Sequence, residues 1–193
     1  VTRIIAGAAG SLTLEVPDAG TRPTSDRVRE SLFGALESAD ALRGARVLDL
    51  YAGSGALGLE AISRGADRAD LVEKAPRAAV VAERNAARVR RAVPAATVRV
   101  HRAAVEAFLR GFSDDIDLAL IDPPYAVDEQ EITRVLTLLV PHLATHAVVV
   151  VERDARSPEP LLPPGLRVFR DRRYGDTTLW WIEPDDGDET GTA

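Results

Sequence analysis

Val47-Leu48-Asp49-Leu50-Tyr51-Ala52-Gly53-Ser54-Gly55-Ala56-Leu57-Gly58 leaves a nearly continuous apolar run and enters a helical pattern. A run of this kind, apolar on consecutive positions, reads as a strand covered on both faces. Gly53 and Gly55 permit positive φ and a close approach of backbone to a ligand. Glu73 closes the next apolar run, twenty residues after Gly53, where an acid commonly holds ribose hydroxyls at the edge of an open α/β sheet. Gly53 to Gly58 also fits G-x-G-x-x-G, so a dinucleotide such as NAD is a candidate. Asp49 speaks against it. A carboxylate upstream of the glycines repels a pyrophosphate but tolerates a cation, and S-adenosylmethionine (SAM) carries a sulfonium and an ammonium and no phosphate.

Outward from this stretch, strands and helices alternate. Strands are predicted at 46–51, 69–73, 96–101, 116–121 and 146–152, and helices at 56–64, 76–91, 103–110 and 128–140. That rhythm implies a mostly parallel sheet with helices on both faces. Prolines at 158, 160, 163 and 164 interrupt it. Strands at 166–171 and 177–183 follow, and their short link at Tyr174-Gly175-Asp176 makes them antiparallel. Upstream, 2–7 and 11–16 read as a small hairpin turning at Ala8-Ala9-Gly10. A helix capped by Thr24 or Ser25 runs to Ala39 with Val28, Leu32, Phe33 and Leu36 on its apolar face. The organisation expected is a hairpin extension and connector over 1–24, one α/β domain over 25–183, and an acidic, disordered tail over 184–193.

Asp122-Pro123-Pro124-Tyr125 follows the buried run Ile116–Ile121. An acid, two prolines and an aromatic are poor packing material at the end of a strand. They suit a clamp for a flat ring bearing an exocyclic amine: the Asp122 carboxylate and the Pro123 carbonyl accept from the –NH2 group, and Tyr125 covers the ring. Proline fixes φ, so the carbonyl before Pro124 points where the backbone sets it. Hydride transfer to NAD has no use for such a clamp.

Composition narrows the classes. The chain has no Cys, so disulfides, thiolate nucleophiles and Cys-ligated zinc are excluded, and three scattered His leave little for a metal site. No run approaches the roughly 18 apolar residues of a membrane span, and a cytoplasmic protein fits. Net charge is −6, yet five acids and no base fall in the last eleven residues. The body is therefore close to neutral, and total charge gives no support to a nucleic-acid partner.

With these residues on the page, the chain resembles the bacterial 16S ribosomal RNA guanine-N2 methyltransferases of the RsmD type. The resemblance runs from Arg3 to about Ile182. It rests on Arg3-Ile4-Ile5, on Arg22-Pro23-Thr24-Ser25-Asp26-Arg27-Val28-Arg29-Glu30-Ser31-Leu32-Phe33, on Asp49 to Glu60, on Asp122 to Tyr125, and on Tyr174-Gly175-Asp176-Thr177. The glycine loop and the Asp-Pro-Pro-Tyr box are shared with many amine methyltransferases; the 22–33 block is far more specific. The resemblance implies a Rossmann-like class I SAM-dependent methyltransferase, with a seven-stranded mostly parallel sheet, one antiparallel strand and an N-terminal hairpin. It implies a monomer, without metal, that methylates the N2 amine of one guanine of 16S rRNA within an assembled 30S subunit. Asp122, Pro123, Pro124 and Tyr125 are then the catalytic candidates. Thr24, Arg27, Asp49, Tyr51, Ala52, Gly53, Ser54, Gly55, Glu73, Lys74, Ala103 and Ala104 are the SAM-binding candidates. Arg3, Arg22, Arg29, Arg173 and Tyr174 are the RNA-binding candidates. Two departures stand out. The hairpin, usually basic, reads Ser11-Leu12-Thr13-Leu14-Glu15. After the third core strand, His101-Arg102-Ala103-Ala104 replaces a polar residue near the adenine, which leaves that contact to backbone groups. Competing readings are an adenine-N6 DNA methyltransferase, for which 193 residues leave little room for a target-recognition domain, and a SAM-binding RNA-assembly factor without turnover, against which the intact Asp122 argues.

Overall fold

The computed structural model describes residues 2–17, 25–185 and 187. Arg22 and Thr24, the connector around them and most of the acidic tail lie outside the described residues. The elements run β1 (Thr2–Arg3), β2 (Thr13–Leu14), α1 (Asp26–Ser38), β3 (Arg46–Leu50), α2 (Ala56–Ser63), β4 (Arg68–Val72), α3 (Pro76–Ala92), β5 (Thr97–His101), α4 (Val105–Gly111), β6 (Ile116–Ile121), α5 (Glu129–Leu139), a 3-10 turn (Val140–His142), β7 (Leu143–Asp154), β8 (Leu166–Tyr174) and β9 (Thr177–Pro184). Seven strands form one sheet in the order β5-β4-β3-β6-β7-β9-β8. β9 is antiparallel to both neighbours and the other pairs are parallel, as the alternation and the short Tyr174-Gly175-Asp176 link dictate.

Strands β3 and β6 are buried on both faces because two cores sandwich them. One core sets Val28, Leu32, Phe33 and Leu36 of α1, with α2 and α3, against Val47, Leu118, Val150 and Leu179. The other sets α4 and α5 against Leu48, Leu50, Ile121 and Val151. The α1 face is the one predicted, and Ser25 caps the helix, its hydroxyl accepting from Val28 N–H at 3.3 Å. Among the described residues, no helix is long and apolar enough to cross a membrane.

The N-terminal hairpin is shorter than the sequence suggests, with only Thr2–Arg3 and Thr13–Leu14 paired. Its middle is hydrogen-bonded elsewhere. Ile5 and Ala6 N–H donate to the Glu60 carboxylate at 2.7 and 3.1 Å, Ala8 N–H to the Ser63 carbonyl, and Ala9 N–H to the Ser63 hydroxyl. The extension thus satisfies a carbonyl left open at the C-terminal end of α2. Gly7 allows this docking, since its φ is +84° and a Cβ there would stand 1.9 Å from the Ser63 oxygen. Glu60 is fully buried and also pairs with Arg64. Glu60→Ala strands the Ile5 and Ala6 N–H donors, each worth about 1–3 kcal/mol when left unsatisfied, while Arg64 keeps its pairing with Glu37. Denaturant unfolding is therefore expected to show a loss of roughly 2–6 kcal/mol, and a loss under about 1 kcal/mol would mean that the docking contributes little.

Candidate active site

Strand order reverses between β3 and β6: β4 and β5 lie to one side of β3, and β6 and β7 to the other. A crevice opens outside the C-terminal ends of strands at such a switch point. Asp49 and the glycine loop come off β3, Glu73 off β4, and Asp122 to Tyr125 off β6, three adjacent strands.

The turn after β3 is tight. Tyr51, Gly53 and Gly55 all have positive φ, at 63°, 56° and 81°, and Gly55 caps α2. A Cβ on Gly53 would meet nothing within 4 Å, so the loop presents open backbone there. At Gly58 a Cβ would come within 2.3 Å of Leu71 and 3.1 Å of Asp49, so glycine lets α2 press onto β3 and β4. Gly58 N–H then donates to Asp49 Oδ2 at 2.9 Å. Glu73 closes the loop from the other side, Oε2 accepting from Gly53 N–H at 2.9 Å and Oε1 from Ala75 N–H at 2.7 Å.

Asp49 is 1% exposed, and its Oδ1 has no hydrogen-bond partner among the described residues. Burial pushes its carboxyl up to about 7. The Gly58 N–H opposes that rise, and the charges of Asp122 and Glu73 add to it. An orphaned carboxylate oxygen with two further acids within electrostatic reach is a site that a cation would relieve. The donor set and the open glycine backbone therefore fit SAM.

Just past the end of β6, Asp122 is half-buried, Pro123 buried, Pro124 exposed, and Tyr125 72% exposed. The loop is held from behind. Val127 N–H donates to the Pro124 carbonyl at 2.9 Å. The Val127 carbonyl accepts from Arg153 Nη2 at 3.1 Å, and the buried Arg153 also pairs with Glu129. Asp128 caps α5 through Glu131 N–H, and the Tyr51 hydroxyl donates to Glu131 at 2.8 Å. α5 thereby ties the glycine loop to the Asp-Pro-Pro-Tyr loop. Burial, and then Glu131, keep the Tyr51 hydroxyl protonated well above its ordinary range, which leaves its side chain a brace. Arg153 and Glu131 escaped the sequence reading; a charged pair, Glu152-Arg153, directly after Val148–Val151 was the signal available for Arg153.

The remaining candidates divide. Ser54 and Ala52 lie in the glycine loop, and Lys74 and Arg27 are exposed. Ala103 N–H turns back to the carbonyls of Glu73 and His101. It is taken up within the turn, which also delays the start of α4 to Val105, and the exposed Ala104 stands at that start. Arg3 and Arg173 are exposed. Arg29 is 1% exposed, its guanidinium donating to the Arg3 carbonyl and to Asp26, so it belongs to the α1–extension joint and not to an outer surface. The Tyr174 hydroxyl is likewise engaged, 2.6 Å from Ser31 Oγ on α1. A groove of about 420 Å³ beside edge strand β5, walled by Arg68, Asp70, His101 and Phe108, shares no lining residue with the crevice.

A family model described as conserved hypothetical protein 95 matches residues 2–183. Ribosomal RNA small subunit methyltransferase D of Escherichia coli K12 is 36% identical over 90% of this chain and 85% of its own length. Among solved structures, the putative methyltransferase yhhF of Escherichia coli superposes with a TM-score of 0.82 at 31% identity, over 95% of this chain and 97% of that one. A hypothetical protein of Thermus thermophilus does so with a TM-score of 0.78 at 33% identity, over 95% of this chain and 99% of that one.

Proposed function

Since this chain belongs to the RsmD family, whose model spans nearly all of it, we propose that it is a small-subunit ribosomal RNA methyltransferase using SAM. Its target in this reading is the exocyclic N2 of one guanine of 16S rRNA, presented by an assembled 30S subunit. One observation carries the reading: the Asp122-Pro123-Pro124-Tyr125 loop at the end of β6 adjoins a buried, half-satisfied carboxylate at the end of β3, across the switch point of the sheet.

SAM, when bound, supplies a methyl group already activated by its sulfonium. The work left to the chain is binding and alignment. Asp49 Oδ1 would take the ammonium, and the backbone of Gly53, Ser54 and Gly55 would line the amino-acid portion. Glu73 would use the lone pairs not engaged by Gly53 and Ala75 for the ribose hydroxyls. On the other side, Asp122 and the Pro123 carbonyl would accept from the two N2 hydrogens. The Pro124 carbonyl is already committed to Val127, consistent with that choice. Holding both hydrogens favours a pyramidal nitrogen and turns its lone pair toward the donor, so catalysis is chiefly positional. The exposed Tyr125 ring would stack on the base, a contact worth about 1–3 kcal/mol. The base must leave its stack to reach it, at a cost of a few kcal/mol in a duplex and less in a loop.

The test is to incubate the protein with methyl-labelled SAM and small subunits from a strain lacking the modification, and then to map the label. A single guanine carrying N2-methyl is expected. Label on adenine, or none in rRNA, would overturn the reading.

A further inference from the structure

RNA must be gripped beside the clamp, and the body of this chain is not broadly basic. Among its described residues the charges of the hairpin extension are paired: Arg3 faces Asp26, and Glu15 sits against Arg84 and Arg88 of α3. On the same helix Arg90 is paired with Glu83. At the opposite edge of the sheet the arginines are concentrated on one strand. β8 places Arg167, Arg170, Arg172 and Arg173 with a single acid over nine residues. Arg167 pairs with Glu183. Arg170, Arg172 and Arg173 make no ion pair among the described residues. Arg172 and Arg173 are exposed, while Arg170 lies 5.4 Å over the Trp181 ring. Phe169, 45% exposed, rests edge-on against the same indole.

The register fixes where this strip stands. Ile121 pairs with Val151, Val151 with Trp180, and Trp180 with Asp171. One residue further along, Asp122 and Arg172 are therefore level, three strand spacings or about 14 Å apart. Arg173 and the β8–β9 turn rise beyond that level, at the end of the sheet where the crevice opens. Phosphates recur along a strand at intervals that such a distance spans in two or three nucleotides.

We infer that β8 is the nucleic-acid track of this protein. Arg170, Arg172 and Arg173 bind backbone phosphates of the RNA strand flanking the target base, and Phe169 offers its face to a neighbouring nucleotide. The inference rests on the ribosomal RNA reading above and adds where the RNA lies. The arginines supply non-specific, salt-sensitive affinity, while selection of the base stays with the clamp.

The test is steady-state methylation of unmodified small subunits by the triple variant Arg170→Gln/Arg172→Gln/Arg173→Gln at several salt concentrations. KM for subunits is expected to rise at least about tenfold, and its salt slope to flatten by about 2. SAM affinity by calorimetry and the thermal midpoint should stay near wild type, which separates lost RNA contact from misfolding. Arg43→Gln, remote from β8, is the control for loss of an exposed arginine elsewhere. A photocrosslinker in place of Arg172 should mark 16S rRNA. Unchanged KM and slope in the triple variant, or a crosslink confined to a ribosomal protein, would overturn the track. If wild-type protein labels no rRNA, it is the functional reading that fails instead.

Discussion

Asp122→Ala is expected to cut methyl transfer by at least about a hundredfold and to leave SAM affinity within a few-fold of wild type. An interaction made only as the transition state forms lowers kcat and kcat/KM together when it is removed. Asp122 stands at the end of β6 within electrostatic reach of Asp49. In the proposed reaction its carboxylate would accept from an amine whose lone pair is delocalised into the ring until both hydrogens are held. Asp122→Asn keeps an acceptor oxygen in the same place and should lose less, which distinguishes a hydrogen-bond acceptor from a proton acceptor. Single-turnover assays with saturating SAM and subunits read the step directly. Near-wild-type turnover in the alanine variant would remove the clamp from the mechanism.

Much of the fold was legible because its determinants are local. The apolar run through β3, the glycines with φ of 56° and 81° and the acid twenty residues on are readable within one stretch of chain. The capping Ser25 and the apolar face of α1 are equally local. What was not legible depends on partners distant in sequence. The hairpin shortens because Ile5 and Ala6 find Glu60, 55 and 54 residues away. Tyr174 is engaged by Ser31, 143 residues away. Arg29 is an intermediate case. It shares the helical spacing of Leu32, Phe33 and Leu36, so the sequence did place it on the inward stripe. Helical periodicity outweighs its charge there, and the buried guanidinium is met by Asp26 and the Arg3 carbonyl.

Asp49→Asn is expected to separate stability from function more sharply than any other change. The wild-type carboxyl sits at about 7 in the folded chain and near its ordinary value of about 3.9 when unfolded. Between those values the folded state binds the extra proton, so stability falls as pH rises through the window and the loss is complete above pH 7. About 3 pKa units correspond to roughly 4 kcal/mol, an upper bound at this fully buried position. The asparagine carries no charge to bury and removes that slope. It still accepts from Gly58, but it places an amide N–H where Oδ1 had no partner, at a cost of about 1–3 kcal/mol. The variant should therefore be more stable than wild type at pH 8 by about 1–3 kcal/mol and no more stable at pH 4. SAM binding should move the other way. A cation beside Asp49 favours the ionised form, so wild-type affinity should rise with pH up to about 7, by at most tenfold per unit, and then level off. The variant should bind at least about a hundredfold more weakly, without that dependence, because an uncompensated buried donor replaces the charge that met the ammonium. Denaturant titrations and calorimetry across pH 4–8 read both effects on the same protein. Wild-type SAM affinity in the variant, with the pH slope intact, would show that the orphaned oxygen serves something other than the cofactor.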